Sequence, residues 1–250
     1  MGLFFNREKK VTYAVYSDVG ERTVNEDSVK VSEQDHKKCF VLCDGLGGHG
    51  MGDVASQCVT EVFAACLSKD SNMSEFLAET FEKAQKALLE RQKEYNAESK
   101  MKTTCVAVVV DRQNVYVGHV GDSRGYVFQG NKVKCRTIDH SIPQMLALSG
   151  EIKESEIRHH PDRNLVLRVM GTEWEESKYE LMSPLPLKSG MAFLLCSDGF
   201  WEFIEEDKMC ELLKKAQNVQ EWLDFMTEIV KKKGMGTGMD NNSAIAVWVR

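Results

Sequence analysis

The alternation of apolar and polar residues divides the chain into short strands and a few longer helices. Strands are predicted where short apolar or alternating runs lie between polar turns, at residues 11–17, 28–32, 38–43, 103–110, 114–120, 125–128, 133–137, 178–182, 191–196 and 244–249. Helices are predicted where apolar residues recur at helical spacing, at residues 53–68, 74–98, 205–216 and 219–233. Residues 141–172 have a mixed pattern that indicates one short helix and no clear strand.

The second predicted helix shows the helical pattern most clearly. Behind Ser74, a suitable N-terminal cap, the apolar residues fall on one stripe: Leu77, Phe81, Ala84, Leu88 and Tyr95. We expect this stripe to pack in the core rather than to hold a cofactor.

The order of the elements predicts the fold class. The strands at 103–120 and at 125–137 form two pairs, each joined by a short turn, which is typical of antiparallel hairpins. Helices and strands are grouped rather than alternating, and no linker or internal repeat divides the chain. We therefore predict one α+β domain that spans residues 1–250.

Composition and charge exclude several classes of function. The 42% of hydrophobic and 28% of charged residues are ordinary for a soluble globular protein, and the net charge of −6 argues against a nucleic-acid partner. The N-terminal stretch MGLFFNREKK has too short an apolar run for a signal peptide or a membrane span, so we expect a cytoplasmic protein. The eight cysteines contain no C-x-x-C pair, which favours buried, reduced thiols.

One segment carries a motif with two interpretations. Residues 40–56, FVLCDGLGGHGMGDVAS, contain G-x-G-x-x-G directly after Asp44. Between a strand and a helix of a dinucleotide-binding domain, such a turn binds pyrophosphate. Here, however, a second predicted helix follows the first with no strand between them, and Asp44 would place a negative charge beside the pyrophosphate. A nicotinamide or flavin oxidoreductase is therefore the weaker hypothesis.

The stronger hypothesis comes from aspartates at the ends of predicted strands. Asp44, Asp122 and Asp198 each follow an apolar strand, whereas Asp27 and Asp240 each precede one. Any one of them has an ordinary explanation, because aspartate is common in turns and caps. Together at one edge of a sheet, two such carboxylates 4 Å apart would repel each other by roughly 4 kcal/mol. Divalent cations would relieve this repulsion.

The oxygen donors of these residues suit Mg²⁺ or Mn²⁺ rather than zinc. Two such ions close together are a known device for activating water for attack on phosphorus. Gly45 also has a use in this arrangement, because a residue without a side chain can turn its carbonyl towards an ion beside Asp44.

Eight motifs in order along the chain resemble those of the metal-dependent protein phosphatases, the type 2C Ser/Thr phosphatases, and especially their compact bacterial branch. They are GERTVNEDS (20–28), VLCDGLGGHGMGDVAS (41–56), KTTCVAVVV (102–110), GDSRGY (121–126), DHS (139–141), NLVLRVMG (164–171), CSDGFWE (196–202) and DNNSAIAVWV (240–249). The resemblance covers nearly the whole chain. It implies a central antiparallel β-sandwich flanked by helix pairs, in α-β-β-α layers.

The resemblance also implies which residues hold two Mn²⁺ or Mg²⁺ ions. Asp44 matches the aspartate that bridges the ions, and Gly45 matches the residue that supplies a backbone carbonyl. Asp198 and Asp240 match the remaining protein ligands of one ion.

Around these ligands the resemblance implies supporting roles. Glu26 and Asp27 match acids that bind or orient water on the ions, and Asp122 matches a ligand of a third, weaker ion. Arg22 matches the arginine that grips the substrate phosphate, a task for which its planar fork is suited. Residues 143–165 match a segment called the flap, which shapes access of the substrate.

The implied activity is hydrolysis of phosphoserine and phosphothreonine in proteins by a hydroxide that bridges the ions, with Arg22, Asp44, Asp198 and Asp240 as the catalytic set. The expected partners are phosphorylated proteins that a cognate Ser/Thr kinase modifies, and the protein is expected to be a monomer. A catalytically silent phosphoprotein-binding member of the same fold is the alternative. Such a protein would be expected to lack ligands, and none of the matching ligands is missing here.

The chain departs from the family pattern at several positions that are not predicted metal ligands. Leu46 stands where animal members have a histidine that is the proposed general acid. His49 lies nearby, but fixing the glycine turn by hydrogen bonds explains it at least as well, so we predict that it is not the essential acid. Ser243 stands where Thr is usual, Glu202 stands where Asp is common, and Lys102 replaces a glycine.

Overall fold

The computed structural model describes residues 9–46, 50–98, 100–176 and 178–250. The strands are β1 (Val11–Asp18), β2 (Asp27–Gln34), β3 (Lys37–Asp44), β4 (Cys105–Val110), β5 (Asn114–Val120), β6 (Arg124–Gln129), β7 (Lys132–Arg136), β8 (Glu180–Leu181), β9 (Leu185–Pro186), β10 (Met191–Cys196) and β11 (Asn242–Val249). The α-helices are α1 (Gly52–Cys66), α2 (Met73–Tyr95), α3 (Ile142–Ser149), α4 (Asp198–Trp201), α5 (Glu206–Lys215) and α6 (Val219–Gly234), and Glu154–His159 form a 3-10 helix.

The strands form two antiparallel sheets. The first sheet has the order β1-β11-β10-β6-β7, and the second has the order β2-β3-β4-β5-β8, with β9 also paired to β5. Helices α1 and α2 pack on the second sheet, and α5 and α6 pack on the first. The predicted α+β class with α-β-β-α layers is therefore confirmed.

The core follows from the period of two along each strand. In β3, Phe40 and Leu42 point between the two sheets, whereas Cys39, Val41 and Cys43 face α1 and α2. The same alternation in β4, β10 and β11 divides the core into three apolar layers. Burying each large side chain contributes roughly 1.5–3 kcal/mol to folding, so the layers hold the ends of these strands in place.

Helix α2 differs in detail from its prediction. Its N-terminal cap is Asn72, whose side chain accepts a hydrogen bond from the backbone N–H of Ser74, so Ser74 lies inside the helix. The helix ends three residues early because Asn96 adopts a left-handed conformation, with φ +50°. Tyr95, predicted in the core, is 55% exposed. The other stripe residues are buried as expected: Leu77, Phe81, Ala84 and Leu88.

The predicted strand at 178–182 is largely wrong. Only Glu180–Leu181 pair with β5, and a second short strand, Leu185–Pro186, pairs with β5 further along. Pro184 and Pro186 have no backbone N–H to donate, so the edge of the sheet cannot continue as one regular strand. Short, interrupted edges of this kind also resist pairing with other chains.

The segment between β7 and β8 contains the one α-helix predicted there, α3, and also a 3-10 helix that the pattern did not indicate. Helix α3 ends at Gly150, which has φ +82°. The chain then returns beside the start of the helix, where Ser141 forms an isolated bridge with Val166. No helix in the described part of the chain has the length and apolar character that a membrane crossing requires.

Ends of strands from both sheets meet at one edge of the sandwich. In the first sheet, β10 runs into α4, and β11 begins at Asn242, two residues earlier than predicted. In the second sheet, β2 begins and β3 ends at the same edge. The hydroxyl of Ser197 in the first sheet donates to Oδ2 of Asp27 in the second at 2.8 Å, which links the two edges.

Candidate active site

Two aspartates lie opposite each other on neighbouring strands of the second sheet. Asp44 is the last residue of β3, and the antiparallel register places it directly opposite Asp27, the first residue of β2. Opposed residues have Cβ atoms about 4.5–5.5 Å apart, and like charges there are destabilising. Burial raises the pKa of Asp44 well above its usual range, and the neighbouring charges of Asp27 and Asp198 raise it further.

The first sheet adds two further aspartates. Asp198 follows β10 as the first residue of α4, and its Oδ1 accepts the N–H of Gly199 at 2.6 Å. Burial and the charge of Asp240 raise the pKa of Asp198, although a hydrogen bond with the carboxyl group of Asp44 opposes this rise. Asp240 accepts the N–H of Asn241 at Oδ1, 2.8 Å away.

Asp27 has one satisfied and one unsatisfied oxygen. Oδ2 accepts the Ser197 hydroxyl, whereas Oδ1 is buried and has no hydrogen-bond partner within the described segments. Burial raises the pKa of Asp27 to about 7, with smaller contributions from Asp198 and Asp240. A buried oxygen without a partner is unfavourable, so this position fits a site that is completed by a cation or by water on one.

Glu26 and Gly45 lie where the start of α1 packs against this edge. The N–H of Gly45 donates to the carbonyl of Glu26 at 3.1 Å, and the carboxylate of Glu26 lies beside Gly52. A Cβ on Gly45 would lie 2.2 Å from the carbonyl oxygen of Gly52. Glycine at position 45 is therefore required by close packing of two backbones, a reason that the sequence did not reveal.

Two threonines that the sequence reasoning left without a role hold the backbone of Asp44. The N–H of Asp44 donates to Oγ1 of Thr104 at 3.0 Å, and the carbonyl of Asp44 accepts from the Thr104 N–H and the Thr103 hydroxyl, both at 2.8 Å. These bonds fix the end of β3 on both sides. The only sequence signal for them is the Thr pair in KTTCVAVVV.

Asn241 was also missed, and it organises the loop at 19–26. Its Nδ2 donates to the carbonyls of Val19 and Val24, both at 2.9 Å, and its Oδ1 accepts the N–H of Glu26 at 2.8 Å. One buried side chain therefore places the loop that carries Arg22 and Glu26. The only sequence signal for Asn241 was its position directly after Asp240, and turn chemistry alone did not mark it as functional.

Asp122 lies in the turn that connects β5 in the second sheet to β6 in the first. It is 4% exposed, and burial raises its pKa well above the usual range, with Asp198 as the next contribution. The indole N–H of Trp201 donates to the backbone carbonyl of Asp122 at 3.0 Å. The turn thus brings Asp122 into the same electrostatic environment as Asp198.

Arg22 lies at the outer side of the site. Its Nη2 donates to Oδ2 of Asp240 at 2.8 Å, and its side chain is 55% exposed. All seven acidic or glycine candidates and Arg22 therefore lie around one edge of the sandwich. The prediction for His49 falls outside the described residues.

The structure rejects the dinucleotide interpretation of the glycine motif. Every strand pairing among the described residues is antiparallel, and α2 follows α1 without a strand between them. The parallel strand–helix–strand unit that such a site needs is therefore not built here.

The cysteines do not form a reactive site. All eight are free, and five of them are buried. Burial raises the pKa of the Cys39, Cys43 and Cys196 thiols, so they stay neutral at pH 7.

Comparison with known proteins agrees with this geometry. The sequence model of the family described as Protein phosphatase 2C matches residues 16–242. The Serine/threonine phosphatase stp of Listeria innocua is 34% identical over 233 residues, which are 89% of each chain. The solved structure of the Serine/threonine phosphatase Stp1 from Staphylococcus aureus has a TM-score of 0.87 at 27% identity and covers 96% of each chain. The catalytic domain of the phosphatase PstP, solved in complex with two manganese ions, has a TM-score of 0.82 at 27% identity, covering 96% of this chain and 99% of that one. This chain therefore belongs to the protein phosphatase 2C family.

Proposed function

We propose that this chain is a metal-dependent phosphatase that hydrolyses phosphoserine and phosphothreonine in proteins. One observation carries the proposal: Asp44 lies opposite Asp27 and within hydrogen-bonding reach of Asp198, and burial and mutual repulsion raise the pKa of all three. A folded protein tolerates such a cluster when cations from outside the chain complete it.

The donor set fits Mn²⁺ or Mg²⁺, because it consists of oxygens and contains no sulfur or imidazole. The residues proposed to hold two ions are Asp44, Gly45 through its carbonyl, Asp198 and Asp240, with Glu26 and Asp27 orienting water. Ions bound there supply an activated water for attack on phosphorus and positive charge that offsets the negative charge of the transition state.

Arg22 is proposed to bind the substrate phosphate. Its guanidinium group is exposed enough to turn away from Asp240, and its planar fork matches two phosphate oxygens. Gripping the phosphate at two oxygens fixes the direction from which water approaches.

Asp122 is proposed to help hold a third, weaker ion. Support comes from its burial and from the charge of Asp198, which together raise its pKa. The backbone carbonyl of Asp122 accepts a hydrogen bond from Trp201, so Asp122 also has the structural role of a turn residue. Its carboxylate remains to bind the ion.

Residues 143–165 are proposed to act as a flap over the substrate. Helix α3 in this segment exposes Met145 and Leu148, which gives a phosphoprotein an apolar surface to contact. We further propose one domain, a monomeric and cytoplasmic protein, and substrates phosphorylated by a cognate Ser/Thr kinase.

Release of phosphate from phosphoserine and phosphothreonine peptides, with a phosphotyrosine peptide for comparison, tests the proposal. Activity should require added Mn²⁺ or Mg²⁺ and stop when a chelator removes the ions. It should survive alkylation of thiols, because no cysteine is among the residues proposed to act in catalysis. Full activity in metal-free buffer would refute the proposal. Binding of phosphopeptides without turnover, at saturating Mn²⁺, would instead support the silent alternative.

A further inference from the structure

Two buried histidines lie against the turn that carries Asp122. His140 follows β7 and is 6% exposed, and His119 lies in β5 and is 2% exposed. Their rings stack with centroids 4.6 Å apart. Neither histidine belongs to the ligand set proposed above, so their burial needs its own explanation.

His140 holds Gly121 through two hydrogen bonds. The backbone N–H of His140 donates to the carbonyl of Gly121 at 3.0 Å, and the N–H of Gly121 donates to Nδ1 of His140 at 3.1 Å. On its other side Gly121 meets Thr104, since a Cβ on Gly121 would lie 2.6 Å from the Thr104 Cβ. The turn is therefore clamped between His140 and the residue that also holds the backbone of Asp44.

The direction of these bonds determines where the imidazole of His140 carries its proton. Nδ1 offers its lone pair to Gly121, so the proton of the neutral ring is on Nε2, which lies 3.2 Å from Oε1 of Glu180. Arg168 in turn binds Glu180 at 2.9 Å. Burial lowers the pKa of His140 to about 4, with His119 as the next cause. The ring is therefore neutral at pH 7 and able to accept this bond.

We propose that His140 is a positioning residue for Asp122 that acts through Gly121. Its two bonds stop the 121–123 turn from moving the Asp122 carboxylate away from Asp198. The inference rests on the proposed function, because Asp122 is assigned there to the third ion.

A metal site at the same histidines is the competing interpretation. Donor atoms of His119, His140 and Glu180 lie within 4.8 Å of one another, and Nδ1 of His119 and Nε2 of His140 are both buried with no hydrogen-bond partner among the described residues. An ion on this set would need a lone pair on Nε2 of His140. The bond from Gly121 leaves the proton on that nitrogen, so the geometry favours the clamp.

Two polar variants separate these roles. His140→Asn places an amide oxygen near the position of Nδ1, where it can still accept from Gly121. His140→Gln carries its amide towards the position of Nε2 and leaves the Gly121 N–H without a partner. Because an unpaired buried donor is costly, we expect affinity for the weakest Mn²⁺ ion to fall about 10-fold in the Gln variant and less than about 2-fold in the Asn variant.

The measurement is a Mn²⁺ titration followed by electron paramagnetic resonance of the free ion, with hydrogen exchange of the Gly121 amide. The two tighter ions should be retained by both variants, and exchange at Gly121 should accelerate only in the Gln variant. Equal behaviour of the two variants, or equal weakening of all three ions, would overturn the proposal. These readouts need no turnover, so an inactive wild-type protein would count against the proposed function and not against the clamp.

A measurement on the wild-type protein guards against a variant that fails to fold. Nitrogen-15 spectra of the histidine side chains should show Nδ1 of His140 unprotonated and coupled through a hydrogen bond to the Gly121 amide. The opposite tautomer would overturn the proposal. So would stoichiometric Zn²⁺ binding that His119→Ala abolishes, which would establish the metal site instead.

Discussion

Two groups of charged side chains in this protein differ in how their charge is balanced. In the first, the arginine cluster (Arg124, Arg136, Arg158, Asp139 and Glu206), every carboxylate has arginine partners within the chain. Arg124 binds both oxygens of Asp139 at 2.6–3.1 Å, and these two side chains are 3% and 1% exposed. In the second, the carboxylate edge (Asp27, Asp44, Asp198 and Asp240), the one ion pair among the described residues is Arg22 with Asp240, at its outer side.

The pKa directions show the difference. Burial acts against the charged form of Glu206, but Arg158 lowers its pKa below the usual range. Burial acts in the same way on Asp27, but its neighbours are acids and its pKa rises to about 7. This protein therefore supplies its own counter-ions to the buried charges of the arginine cluster. It supplies none to the buried acids of the carboxylate edge in the part of the chain that the structure describes, apart from Arg22.

Trp201 connects the arginine cluster to the turn that carries Asp122. The guanidinium of Arg124 lies 3.5 Å above the centre of the Trp201 ring, and the indole N–H binds the carbonyl of Asp122.

The largest effect is expected from breaking the arginine cluster. Asp139→Asn should lower the free energy of unfolding by about 3–5 kcal/mol, because it leaves the buried Arg124 without its bidentate partner and with only Glu206, 3.5 Å away, as a counter-charge. Urea denaturation measures this loss, and Mn²⁺ should not restore it. Glu211→Gln, which breaks an exposed pair with lysines, is the control and should change little. A loss below about 1 kcal/mol would show that Arg124 does not depend on Asp139 for its counter-charge.

Removing charge from the carboxylate edge should affect catalysis rather than folding. Asp44→Asn should lower kcat on a phosphopeptide on the order of 10²-fold or more, because it removes transition-state stabilisation. In chelator its melting temperature should equal or exceed that of the wild type, since repulsion with Asp27 is relieved. Asp70→Asn on an exposed loop serves as control. Marked destabilisation of the metal-free Asp44 variant would contradict the view that the carboxylate edge serves catalysis rather than folding.

The pH dependence of the metal-free protein should reveal the unpaired acids. Asp27 has a pKa of about 7 when folded, above the usual value of 3.8, so the folded state binds its proton more tightly. Stability should therefore fall as pH rises from about 4 to 7.

Urea titrations in chelator between pH 5 and 8 measure this slope. Asp27→Asn should reduce the slope without abolishing it, because burial also raises the pKa of Asp44 and Asp198. Mn²⁺ should reduce the slope in the wild-type protein by replacing the protons. A slope that Asp27→Asn leaves unchanged would assign the effect to other groups.

The smallest effect is expected at Arg22, the exposed cation of the carboxylate edge. Arg22→Ala should lower kcat/KM about 10-fold, mainly through KM, if the side chain binds phosphate equally in the ground and transition states. Arg22→Lys keeps the charge but loses the planar fork, so it should recover only part of the loss. Steady-state kinetics on a phosphopeptide give the comparison. An unchanged KM in Arg22→Ala would remove Arg22 from substrate binding.

Sequence reasoning was most successful where the cause is local. The alternation in β3 follows from its own residues, and so does the helical stripe of α2 up to Leu88. Errors occurred where a local preference was overridden. Asn96 ended α2 early in a left-handed conformation. The strand predicted at 178–182 is reduced to the two residues of β8, and the separate short strand β9 follows it.

The sequence by itself determined the α+β class and the aspartates at the ends of the strands, because strand periodicity and turn chemistry depend on neighbouring residues. The layers of the fold were implied by the family resemblance. Only the tertiary structure decided that Asp27 lies opposite Asp44, that Gly45 meets Gly52, and that Asn241 and His140 hold the loops around them. Each of these contacts joins residues that are distant in sequence or on different elements. Register and close approach of backbones depend on how the whole core packs, and no local pattern records them.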